Sequence, residues 1–214
     1  RYSAGDPLDG MRERVQYAFD DLQRHQDAFP DDTFKLWEPD AYYFVMLLFS
    51  WIVLFNVPDM VKTLAASISR DPDDGWDPFI QVLFATFGVT DFPGAKAELL
   101  HPKPYGILYE ALPKDRAGRQ NGIQAYLKSW YKSKSIRGCY WHNRHKAELH
   151  PENHLGYWAF ETGMLTVLDR LDDSAYRNLN FYPRDLVDYC REQGWDKELL
   201  ETLKALREKP ARRD

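Results

Sequence analysis

The sequence predicts an all-α protein, and three observations carry that prediction. Apolar residues recur every three or four positions through most of the chain, no stretch alternates apolar and polar as a strand would, and Asp-Pro or Glu-Pro pairs stand where helices should open. With 214 residues, 44% of them hydrophobic and 15% aromatic, the chain can fill one sizeable core, which excludes disorder. The expected architecture is a compact bundle of about nine helices joined by short turns.

Asp6-Pro7 reads as a cap and first helical residue, after which Leu8, Met11, Val15, Phe19 and Leu22 form an apolar stripe toward Phe29. Glu38-Pro39 opens a second helix that is apolar all round from Ala41 to Phe55 and therefore belongs inside the bundle. Pro58 starts a third, carrying Val61, Leu64, Ala65 and Ile68 and stopped by Asp71-Pro72; Asp77-Pro78 opens a fourth, ended by Gly88. After the kink His101-Pro-Lys-Pro104, a short helix covers Ile107 to Leu112 and another carries Ile123, Tyr126, Leu127 and Trp130. The pattern predicts further helices from Glu152 to Leu171, from Pro183 to Gln193 closed by Gly194, and from an Asp196 cap to about Lys209. The chain divides into an N-terminal helical part, 1–112, and a C-terminal part, 113–214, packed as one body. A faint echo at an offset of 114 residues pairs Glu38 with Glu152, Tyr43 with Tyr157, Leu54 with Leu168 and Asp59 with Asp173, as two related helix-pair units would.

The apolar run from Ala41 to Phe55 is 15 residues, shorter than the roughly 20 a bilayer requires, so no membrane partner is expected. Cys139 and Cys190 lie far apart without CxxC spacing, which predicts free thiols and a cytoplasmic protein. Charge is unevenly spread: residues 1–110 carry 18 acids against 9 bases, residues 111–149 carry 2 against 9, and residues 150–214 carry 13 against 10. An acidic majority favours a basic partner.

The segment from Arg70 to Phe79 is the strongest candidate contact. Two Asp-Pro pairs and a glycine enforce a turn that gathers Asp71, Asp73, Asp74 and Asp77 around Trp76. Carboxylates around an aromatic anchor would suit a basic, phosphate-holding groove on a partner, unless the segment simply caps a helix and Trp76 turns inward. Glu38 and Asp40 would extend the surface, as would Asp9, Glu13, Asp20 and Asp21 on the first helix.

Two other chemistries have partial support. Cys139, His142, His145, His150 and His154, with Glu148 and Glu152, have spacings that can hold zinc on a helix, but Pro151 interrupts them and no HExxH is present, so no metal or other cofactor is expected. The corresponding alternative is an all-α metal-dependent hydrolase that adds Asp172 and Asp173. Lys128, Lys132, Lys134 and Arg137, interleaved with Trp130, Tyr131, Tyr140 and Trp141, have the charge and rings of a nucleic-acid binder, against the simpler reading of a solvated face over packed aromatics. No GxSxG, P-loop or GxGxxG occurs, and the chain is expected not to be an enzyme.

The blocks His154-Leu-Gly-Tyr-Trp-Ala-Phe-Glu161, Leu171-Asp-Asp-Ser174 and Phe181-Tyr-Pro-Arg-Asp-Leu-Val187 resemble the C-terminal signature of the PoNi-like immunity family, and the opening Arg1-Tyr-Ser-Ala-Gly-Asp-Pro-Leu8 is similar to its N-terminal part. The resemblance implies a cytoplasmic antidote that binds a cognate DNase toxin deployed by a contact-dependent or type VI secretion system. Read physically, the signature residues Tyr157, Trp158, Phe160, Glu161, Asp172, Asp173, Tyr182, Pro183 and Asp185 are fold determinants. The expected roles are a buried aromatic face, a paired buried acid at Glu161, caps at Asp172-Asp173 and a first-turn carboxylate at Asp185.

Overall fold

The computed structural model describes residues 2–144 and 156–208, and among these the regular elements are helical. The chain runs through α1 (Met11–Ala28), α2 (Pro39–Leu54), α3 (Val61–Ala66), α4 (Pro78–Thr86), α5 (Pro102–Ala111), α6 (Arg116–Ser129), α7 (Lys134–Gly138), α8 (Phe160–Leu168), α9 (Arg184–Glu192) and α10 (Trp195–Glu208). The single β-type pairing is an isolated bridge between Phe34 and Ile68. Among the described residues, no helix is long and apolar enough to cross a membrane.

Because it is apolar all round, α2 forms the axis of the bundle, with Val45, Met46, Phe49, Ile52, Val53 and Leu54 all buried. Its principal neighbour is α8; α5 and α6 form a helical hairpin, and α9 and α10 close over α8. The buried side chains make one cluster reaching from Met11 to Leu203.

Several helix starts differ from expectation: α3 follows a 3-10 turn at Pro58–Met60, α5 opens at Pro102 rather than Ile107, and three more shift for local reasons. Asp6-Pro7 does not open α1: Gly10 takes a left-handed conformation (φ 77°), so residues 7–10 turn and the helix begins at Met11. The helix expected from Glu152 begins at Phe160, because Ala159 is held outside helical geometry and donates its N–H to the Phe181 carbonyl at 2.9 Å. Finally, α10 starts at Trp195, directly after left-handed Gly194 (φ 73°), which puts Asp196 inside the first turn. The openings at Glu38-Pro39 and Asp77-Pro78 are as read from the sequence, with the Asp77 carboxylate accepting from Ile80 N–H.

The 114-residue echo has a structural counterpart. Ser50 on α2 meets Met164 on α8, and both helices end in the same turn: Val57 N–H reaches Ile52 O at 2.9 Å and Leu171 N–H reaches Thr166 O at 3.0 Å, around left-handed Asn56 (φ 48°) and Arg170 (φ 50°). Glu152, one member of the echo, lies outside the described residues.

Candidate functional site

The bridge between Phe34 and Ile68 sets the geometry of the acidic surface, joining the approach to α2 with the exit from α3. Phe34 N–H donates to Ser67 O (2.8 Å) and Ser69 N–H to Phe34 O (2.9 Å), so residues 35–38 and 70–74 leave it side by side. Leu36 then buries itself, and its carbonyl bonds the Nε2 of buried His101 at 2.8 Å while His101 Nδ1 meets Ser135 Oγ at 3.0 Å. Burial lowers the pKa of His101, favouring the neutral ring.

In the turn itself, Asp74 N–H donates to Asp71 O and Asp73 N–H to the Asp71 carboxylate. Lys96 Nζ ties down the Pro72 carbonyl at 2.9 Å. Gly75 is required here, since a Cβ at that position would collide with the Gly94 carbonyl. Asp71 and Asp73 are exposed. Asp74 is half-buried; the Ser69 hydroxyl (2.7 Å) and the Trp37 indole N–H (2.8 Å) both donate to it, and the Ser69 bond is the main reason its pKa is lowered.

Two of the expected contact residues face inward. Trp76 is only 1% exposed and packs against Phe84 and Phe92, so the inward alternative is the one realised. Asp77 is wholly buried, accepting from Ile80 N–H, Tyr42 OH and Leu100 N–H; it caps α4, and burial raises its pKa. Neither reaches a partner in this conformation. Glu38 is exposed at the start of α2, and Asp40 accepts the Tyr140 N–H at 3.1 Å. Asp9, just before α1, and Glu13, Asp20 and Asp21 along it are exposed, with Asp9 accepting from the Tyr189 hydroxyl.

The aromatic residue that faces water beside Asp74 and Glu38 is Trp37, 52% exposed, and sequence reasoning missed it. An apolar residue just before a helix cap normally folds back on the first turn, and here Leu36 takes the buried place instead.

The C-terminal signature is largely interior. Phe160 is buried, while Tyr157 and Trp158 are half-buried ahead of the helix; Trp158 donates to Ser3 Oγ and packs at a tilt against Tyr2. Glu161 is buried against the Tyr126 hydroxyl, and desolvation pushes its carboxyl up to about 7. Asp172 accepts from Ser174 N–H and Oγ as a turn cap. Asp173 has a different role from the expected cap: it is buried and gathers Arg177, Arg191 (3.1 Å) and Tyr182 OH (2.9 Å). Asp185 lies in the first turn of α9 beside Arg184, after buried Pro183.

These contacts remove two supports from the hydrolase alternative, because Asp172 and Asp173 are committed to turn and ion-pair bonds. His142 bonds the Tyr131 carbonyl; His145, His150, His154 and Glu148 lie outside the described residues. For the nucleic-acid alternative, Lys128 and Lys132 do line an open cleft of about 540 Å³ with Lys103, but Trp130 and Trp141 are core residues and offer no stacking face. Both cysteines are free and buried.

Two family models match the sequence: PoNe immunity protein (PoNi), N-terminal, over residues 1–66, and PoNe immunity proteins (PoNi), C-terminal, over residues 76–186. Residues 67–75, between the two matched segments, include most of the acidic turn. No curated protein is significantly similar to the chain. Among solved structures, protein PA2201 from Pseudomonas aeruginosa superposes with a TM-score of 0.52 at 24% identity, covering 79% of this chain and 57% of that one, a likeness of fold alone over less than two thirds of its length.

Proposed function

Because the chain belongs to the PoNi family of PoNe immunity proteins, we propose that it neutralises a cognate PoNe-type DNase toxin by binding it, without turnover, in the cytoplasm of the cell that makes both. The observation that carries this reading is the pair of family matches over residues 1–66 and 76–186. The toxin is one deployed against rival bacteria through contact-dependent or type VI secretion, and the antidote protects against self-intoxication.

The acidic first half supplies a physical reason for the match between partners. A nuclease holds phosphates with basic residues, and residues 1–110, with 18 acids and 9 bases, present the complementary charge. The contact lies over Asp71, Asp73 and Asp74 with Glu38 and Asp40, and it blocks the substrate groove sterically. Long-range attraction of this kind mainly accelerates encounter, so association slows as salt shortens the Debye length to about 10 Å and below.

The test is co-expression with the PoNe-type nuclease encoded beside it, followed by purification. Survival of the host and a co-purifying complex are expected. Death of the host despite soluble antidote, or reproducible nucleic-acid hydrolysis by the purified chain itself, would bring the reading down.

A further inference from the structure

The six large hydrophobic side chains exposed among the described residues are Tyr17, Phe29, Trp37, Val82, Tyr140 and Leu206. Most of the aromatic ones are occupied within their own segment. Tyr17 donates to Glu13 one turn earlier, Phe29 packs on His25, and the Arg144 guanidinium sits 5.7 Å over the Tyr140 ring. Trp37 differs: its single polar atom is held by Asp74, 37 residues away, and its ring faces meet no other ring or cation among the described residues.

That bond is itself supported from below. Asp74 is fixed by Ser69 Oγ, Ser69 belongs to the Phe34–Ile68 bridge, and the Leu36 carbonyl next to Trp37 is bonded to buried His101. The indole is therefore oriented before any partner arrives, and the cost of ordering a large side chain at an interface falls on folding instead. Glu38, Asp71 and Asp73, on the two segments that the Trp37–Asp74 bond joins, are exposed, and none of the three has an ion pair among the described residues.

We infer that Trp37 is the anchor of the toxin contact, an inference that rests on the immunity reading, and that its occupant is the cationic substrate groove of the nuclease. An indole face accepts an Arg or Lys cation, while exposed carboxylates on the same two segments accept that cation's hydrogen bonds. Tryptophan also dominates binding energy where it becomes fully desolvated. Asp74 is a positioning residue that aims the ring; Glu38, Asp71 and Asp73 form the charged rim.

The probe is a catalytically inactive form of the PoNe-type nuclease domain encoded beside the chain, titrated against wild-type and variant antidote. Trp37→Ala is expected to raise Kd at least about 30-fold, the scale of a dominant interface residue, with thermal melting unchanged because half of the ring is already in water. Asp74→Ala should raise Kd by less and Asp74→Asn, which keeps an acceptor for the indole, by less again. Hydrogen exchange on the wild-type complex, which needs no variant, should show protection over residues 34–40 and 70–76.

The placement is overturned if Trp37→Ala binds with unchanged Kd, or if protection falls elsewhere. Loss of binding in Lys128→Glu/Lys132→Glu with Trp37→Ala intact would assign the contact to the basic cleft. A dimer that Trp37→Ala converts to monomer, with toxin binding unaltered, would assign the indole to a second copy of this chain. If wild-type antidote fails to bind the nuclease at all, the immunity reading itself fails and this inference goes with it.

Discussion

The helices α2 and α8 leave the core through the same turn, yet the residues that follow meet different surroundings. Five residues past each helix end, at equivalent positions 114 apart, stand Asp59 and Asp173. Asp59 is exposed in a short 3-10 turn, whereas Asp173 is 3% exposed and binds Arg177, Arg191 and Tyr182. Within the helices, half-buried Leu47 of α2 corresponds to buried Glu161 of α8. The same turn ends both helices; what the chain carries just past it is set by neighbours that differ. The ionic chemistry concentrates in the second copy, under α9, and the first copy is left with an apolar axis and an acidic approach.

The largest effect expected from breaking that asymmetry is at Asp173. Replacing it with alanine leaves two guanidinium groups and a buried hydroxyl without their shared acceptor. The cost should be about 3–5 kcal/mol, the scale of removing one partner from a buried ion pair. Both arginines keep about a third of their side-chain surface in water, which favours the lower end. The same change at Asp59 should move stability by about 0.5 kcal/mol or less. Urea titration of both variants checks the contrast, and equal losses would mean that the two acids do the same work despite their surroundings.

A second difference appears only as pH is varied. Glu161 has the Tyr126 hydroxyl as partner and no cation among the described residues, and burial raises its pKa to about 7. Below its unfolded pKa, near 4.5, the group is neutral in both states and costs nothing. As pH rises from about 4.5 toward 7 the unfolded chain ionises while the folded one stays protonated, so stability falls across that window and levels off above 7. Glu161→Gln should therefore melt close to wild type at pH 5 and be more stable at pH 8, by up to about 3 kcal/mol. A difference that stays constant between pH 5 and 8 would show that the carboxyl does not titrate in this range. No comparable pH effect is expected for substitutions at Leu47.

Much of this was legible from residue order. The Glu-Pro and Asp-Pro openings located α2 and α4 because proline at the first helical position has its φ preset for a helix and lacks the N–H that would go unpaired there, and before α4 Asp77 also caps the Ile80 N–H. Asp6-Pro7 carried the same signal and misled, since Gly10 could adopt a left-handed conformation that postponed the helix to Met11. The acidic turn was legible as a turn, but which ring faced outward was not. Trp76 has Phe84 and Phe92 to pack against, and both contacts depend on tertiary placement. Trp37 became identifiable only once the bridge between Phe34 and Ile68 brought Asp74 within reach. Likewise, the Asp-Asp pair at 172–173 reads as a cap, and only one of its members acts as one, because Arg191 arrives from the next helix.

The smallest expected effect concerns the turns themselves. Asn56 and Arg170 occupy equivalent left-handed positions with φ near 50°, a conformation that costs most L-residues about 1–2 kcal/mol. Asparagine tolerates it, and the buried Asn56 side chain also donates to Glu198 at 2.8 Å. Arg170 is exposed and has no such adaptation, although its carbonyl accepts from Arg116 at 3.3 Å. Glycine at 170 relieves the Cβ strain and gives back part of the gain through its greater freedom in the unfolded chain, so Arg170→Gly should stabilise by about 0.5–1 kcal/mol. Asn56→Gly, which relieves less strain and removes the bond to Glu198, should destabilise by about 1 kcal/mol. Opposite signs at two equivalent positions, read by chemical denaturation at pH 7, are what the comparison requires. If both glycines stabilise, the bond from Asn56 to Glu198 contributes nothing and the two turns are energetically as alike as their backbones.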